Sequence, residues 1–101
     1  MSNDKLYHTN MQHVNEKSLH LRKVLGDIIN QIVIKNDKMT LNKIENEYDI
    51  GRGALSRMVN GKNDCKFITL WKFSEASGIK ASEIVKMLED DLGDNFSTID
   101  E

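Results

Sequence analysis

Apolar residues in this chain recur at intervals of three and four, in short runs cut off by asparagine, aspartate or glycine. That rhythm is the signature of amphipathic helices, one apolar stripe per helix, and it restricts the chain to helix packed on helix. Leu21, Leu25, Ile28 and Ile32, widened by Val24 and Ile29, predict a first helix over about 19–35, ended by Asn36-Asp37-Lys38. Thr40 can cap a second, shorter helix carrying Leu41, Ile44 and Tyr48, which Asp49-Ile50-Gly51 interrupts. Leu55, Met58 and Val59 mark a third, closed by Asn60-Gly61, and a loop follows from Lys62 to about Lys66. Leu70, Trp71, Phe73 and Ala76 form a fourth ending at Gly78, with Trp71 and Phe73 expected in the core. Ile79, Ile84, Val85, Leu88 and Leu92 form a fifth. No run alternates with period two for long enough to make a strand, and there is no proline. The expected fold is all-α, a compact five-helix bundle.

At 101 residues the chain has room for one modest core, not for two cores or a deep substrate cavity. Its organisation reads as a flexible N-terminal arm or helical extension over 1–18, a domain over 19–92, and an acidic C-terminal tail over 93–101. No apolar stretch approaches the ~20 residues of a membrane span. Met1 to Thr9 lack the apolar run of a signal peptide, and Cys65 stands alone, so a reducing cytoplasmic location is expected. The net charge of −2 hides an uneven distribution. Between His20 and Leu88 stand 12 Lys/Arg against 8 Asp/Glu, and the excess of acid lies in the two ends.

Two short helices joined by a tight turn inside such a bundle are the arrangement that offers a helix to the DNA major groove. Here Ile44, Ile50 and Leu55 would hold the crossing, with Arg52, Gly53, Ser56 and Arg57 facing outward. Leu25-Gly26, the Ile50 turn, Ala54-Leu55-Ser56-Arg57, Asn60-Gly61-Lys62, Thr69-Leu70 and Ser77-Gly78-Ile79 follow in order without a gap. In this the chain resembles the Cro and phage-repressor (XRE) type helix-turn-helix family, over about Leu25 to Leu88. The resemblance implies a lambda-repressor-like DNA-binding domain that reads the groove with a helix over 52–60. It places Arg52 and Gly53 at the first positions inside that helix, with Ser56 and Arg57 one turn on, as base contacts. An arginine fork can donate two hydrogen bonds to guanine. Gly53 reads nothing by side chain but permits close approach, at ~1 kcal/mol of helix stability. Asn60, Lys62 and the amide groups near Thr40 match phosphate-holding positions, and Lys66, a loop lysine beside them, is a further candidate phosphate contact.

The chain departs from that pattern at several places. Leu41 replaces a phosphate-binding glutamine, and Glu45 stands where an alanine is commonly packed, so it must point outward or find a partner. A buried arginine–glutamate pair of several phage repressors aligns with Ile34 and Val59, an exchange of an ion pair for apolar packing. Lys66 and Lys80 occupy cap positions and predict weakly started fourth and fifth helices.

The expected function is a transcriptional regulator, a repressor that binds a palindromic double-stranded DNA operator as a homodimer. Leu88, Leu92 and Phe96, with Ile99, leave apolar surface for the dimer contact. The rival reading is a protein-interaction module, such as an antitoxin that neutralises a toxin partner, for which a small toxin-like neighbouring reading frame would speak. RNA binding has only the basic patch behind it. His8, His13, His20 and Cys65 match no ligand spacing, so neither a metal nor a cofactor is expected. No nucleophile motif, phosphate loop or carboxylate pair points to an enzyme.

Overall fold

A computed structural model describes residues 15–99. Five helices follow one another: α1 (Glu16–Ile34), α2 (Leu41–Glu47), α3 (Ala54–Val59), α4 (Phe67–Ser77) and α5 (Ala81–Leu92). No strand occurs among the described residues, and no helix there is long and apolar enough to cross a membrane.

Helix α1 begins at Glu16, earlier than the expected 19. Its cap is Asn15, whose side chain accepts from Ser18 N at 2.8 Å and so satisfies one of the open first-turn amides. Residues 16–18 therefore belong to the helix, and the rest of the proposed arm, 1–14, lies outside the described residues. α2 starts as expected, with Thr40 Oγ1 accepting from Lys43 N at 3.1 Å. α4 and α5 have no side-chain cap at Lys66 and Lys80.

α1 is the spine of the fold, packed against α3 on one side and α5 on another, while α2 lies on α3 and α4 on α5. Ile28 and Ile29 of α1 meet Ile44, Ile50, Leu55, Met58, Leu70, Phe73 and Ile84 in a single core. Gly26 sits in mid-helix, against α3. A Cβ there would stand 2.6 Å from Val59 O and 2.8 Å from Met58 O, so only glycine lets α1 press onto the carbonyl end of α3.

Two apolar expectations fail. Ile34 is 68% exposed, so the Ile34–Val59 position holds no packed apolar pair. Trp71 is 52% exposed and leans on Phe67, ring centroids 6.0 Å apart, while Phe73 alone of the expected pair enters the core. α4 carries apolar residues on two sides, and its inner side is already filled by Leu70 and Phe73.

Beyond α5 the chain turns at Gly93 and comes back to the first turn of α1. Asn15 Nδ2 donates to Thr98 O at 2.9 Å and Lys17 Nζ to Ile99 O at 2.8 Å. Phe96 tilts against His20, ring centroids 6.2 Å apart.

Candidate nucleic-acid interface

The geometry around α3 follows from the six residues between α2 and α3. Asp49 takes a left-handed φ of 56°, one of the few non-glycine types that does so at low cost. Ile50 then drops into the core while its amide donates to Glu45 O at 2.9 Å. Gly53 has φ 79° and is the N-cap of α3, whose first residue is Ala54. The helix is thus shorter at its start than the expected 52–60. Arg52 lies in the turn, outside the helix, and Gly53 does not weaken a helix interior but supplies a positive φ that an L side chain would strain.

Gly53 brings no side chain to cap α3, and Glu45 does that work from α2. Its carboxylate accepts from Gly53 N at 3.0 Å and from Leu55 N at 2.8 Å, and the residue is 5% exposed. A buried carboxylate at a helix N-terminus, bonded to two amides, suits both hydrogen bonding and the local dipole. Of the two possibilities open to Glu45, it has found a partner. The far end of α3 closes on Gly61, φ 71°, with Gly61 N donating to Met58 O at 3.0 Å and Lys62 N to Arg57 O at 2.9 Å. That pair of bonds is a Schellman termination.

Held this way at both ends, α3 buries Leu55 and Met58 and turns Ser56 and Arg57 outward, with Arg52 exposed just before it. Thr40, Asn60, Lys62 and Lys66 are exposed as well. The Thr40 hydroxyl oxygen is engaged as the α2 cap, and Asn60 Nδ2 donates to Ser56 O at 2.8 Å. Beside α3, Arg57, Lys66 and Lys72 line a cleft against α4 together with Asp49, Asp64, Asn63 and Thr69. Lys72 Nζ donates to Asp49 O at 2.9 Å and braces the turn before α3.

Basic residues outnumber acidic ones along this stretch, and two of its acids are already bonded. From Thr40 to Lys72 there are six Lys/Arg and four Asp/Glu. Of those acids Glu45 is buried under α3, and Asp64 is bound at 2.7 Å by Arg22 Nε from α1. The Arg22 hydrogen bond and its charge hold the Asp64 carboxyl below its usual range, so it stays ionised and paired. Cys65, beneath this loop, is pushed up to about 11 by burial, which keeps the thiol protonated at neutral pH. No group of three or more His, Cys, Asp or Glu able to hold a metal ion occurs among the described residues. His8 and His13 lie outside them.

At the other end of the molecule, Leu88 packs against the core, and Leu92 and Phe96 are half-buried. Sequence reasoning passed over Glu45 as a cap and Asn63 as a neighbour of Arg57. The Glu45 contacts span eight and ten residues, beyond any local pattern, and the one clue was a carboxylate at a position expected to be packed. Comparison of the chain with family models, with curated proteins and with solved structures finds no match.

Proposed function

We propose that this chain is a helix-turn-helix regulator of transcription that binds duplex DNA, with α2 and α3 as the motif and α3 as the helix entering the major groove. The observation that carries the reading is the two-sidedness of α3. Its inner side is locked by Glu45, Leu55 and the close approach of Gly26, while Ser56 and Arg57 face outward on the other. A rigidly held, exposed helix with basic side chains is what groove readout requires. Arg52, at the lip of the helix, and Arg57 are the base readers, Ser56 a lesser one, and Gly53 allows close approach. Lys62 and Lys66 are the phosphate contacts, with the first-turn amides beside Thr40, and Asn60 is a weaker one because its amide already serves Ser56 O. The protein acts in the cytoplasm as a dimeric repressor on a palindrome, needs no cofactor and is not an enzyme. Leu92 and Phe96 supply the dimer contact, and Leu88 backs it from the core. Sedimentation at ten-micromolar protein would then show a dimer, and a monomer would remove this part.

Selection from a random duplex pool, followed by anisotropy titration at two salt concentrations, tests the reading. Enrichment of a palindrome, relaxed in Arg52→Ala and Arg57→Ala, supports it. Weak, unselective binding that vanishes by ~200 mM salt reflects counterion release alone and rejects it. The second reading, a protein-interaction module such as an antitoxin, is favoured by one observation: Phe67, Ile68 and Trp71 are 69%, 68% and 52% exposed on one end of α4. An apolar patch of that kind marks contact surfaces.

A further inference from the structure

Arg57 is not a free side chain. In the amide orientation that satisfies both ends of Asn63, its nitrogen donates to Lys62 O at 2.8 Å and its oxygen accepts from Arg57 Nε at 3.0 Å. The guanidinium lies back along α3 toward Gly53, and a Cβ on that residue would stand 2.9 Å from Arg57 Nη1. One side of the fork is therefore held by the loop after α3, and the room for the other end exists because residue 53 has no side chain. The Asn63 backbone is itself positioned, since the Schellman bonds fix Gly61 and Lys62 and the Arg22–Asp64 pair ties the next residue to α1.

We infer that Asn63 is a positioning residue that fixes how Arg57 presents its guanidinium, and thereby sets the base preference at the one position Arg57 reads. With Nε occupied by the Asn63 oxygen, the donors left are the two terminal nitrogens. Presented end-on, they match the paired acceptors O6 and N7 of guanine and no other base edge in the major groove. An arginine swinging freely on its four-carbon stem would still bind phosphate and thymine O4, with little discrimination. Pre-setting one torsional arrangement removes part of the ordering cost that a free side chain meets on binding. This inference rests on the DNA-binding reading above, and the experiment separates the two.

The first arm needs no DNA. In 15N-resolved spectra of the free protein, the Arg57 Nε–H resonance should exchange slowly with water and sit apart from that of Arg52. Asn63→Ala should merge the two while leaving the amide spectrum of α1 to α5 in place. Equal, fast exchange of both arginines in the native protein overturns the clamp. The second arm titrates the selected duplex and a set with each base in turn at the position Arg57 reads. Asn63→Ala should lower the preference for guanine there by about tenfold, with overall affinity for unselected duplex unchanged, and Arg57→Lys should abolish the preference. An Asn63→Ala protein that keeps full preference overturns the inference while the DNA reading stands. Failure of the native protein to select any duplex rejects both, whatever the exchange arm shows.

Discussion

Glu45 concentrates more structural consequence than any other polar side chain described. Removing it strands the amides of Gly53 and Leu55, the first half-buried and the second buried. Glu45→Ala should cost about 2–3 kcal/mol in urea unfolding, the scale of buried amides left without a charged acceptor. Glu45→Gln keeps one acceptor oxygen and should fall between it and the native protein. Equal stability of all three would mean the amides find other partners. Cys65 makes a second residue-scale prediction. Thiolate is the reactive species, and with the pKa raised to about 11 only about one thiol in a thousand is ionised at pH 8. Alkylation by iodoacetamide at pH 8 should run about a hundredfold slower in the native protein than in urea. The same shift has a signed effect on stability. The folded chain holds the thiol proton more tightly, so the contribution is complete below the unfolded pKa near 9 and is lost as pH rises toward 11. Cys65→Ser should flatten that part of the pH curve.

Among the elements, α5 offers the plainest test. Lys80 is its N-cap, with φ −60° and ψ 143°, a backbone suited to a capping side chain, yet no side-chain cap is present. Lys80→Ser would place a hydroxyl there with Glu83 three residues on, the two partners of a capping box. The expected gain is about 1 kcal/mol, read as a rise of roughly 4–8 °C in Tm. At this scale the apolar periodicity was a good guide: all five helices lie where the stripes fall, because a stripe records which face meets the core. It was a poor guide to starts. Asn15 caps α1 from within a polar stretch where no stripe exists. The start of α3 is set by two left-handed residues, Asp49 and Gly53, whose torsions the pattern of apolar residues does not encode. For the candidate interface, the outward placement of Ser56 and Arg57 was legible from Leu55 and Met58 facing inward. The hold on α3 was not, because Glu45, Gly26 and Asn63 each act across a turn or between helices. Trp71 was misread because spacing alone cannot choose between two apolar sides of one helix.

For the molecule as a whole, charge is distributed by place. Arg57, Lys66 and Lys72 gather at the α3–α4 cleft, and Glu89, Asp90 and Asp91 crowd the last turn of α5, which holds no basic residue of its own, although Lys86 one turn back reaches Asp90 at 3.4 Å. Three carboxylates at a helix C-terminus oppose its dipole. Asp90→Asn with Asp91→Asn should therefore stabilise the protein at low salt by a few tenths of a kcal/mol, an effect that shrinks as salt rises. No change at either salt would show that the Lys86–Asp90 pair already offsets the charge.

The contacts of Asn15 and Lys17 with Thr98 and Ile99 hold the segment after α5 within one hydrogen bond of the start of α1, so a covalent link between those two places would follow a path the fold already makes. Joining residue 99 to residue 15 through a short glycine linker, and opening the chain instead at the exposed Asp37 between α1 and α2, should therefore yield a circular permutant with the same helices. A native-like helical spectrum and cooperative unfolding would confirm it. A permutant that fails to fold would show that α1 has to be connected directly to α2 for the bundle to assemble.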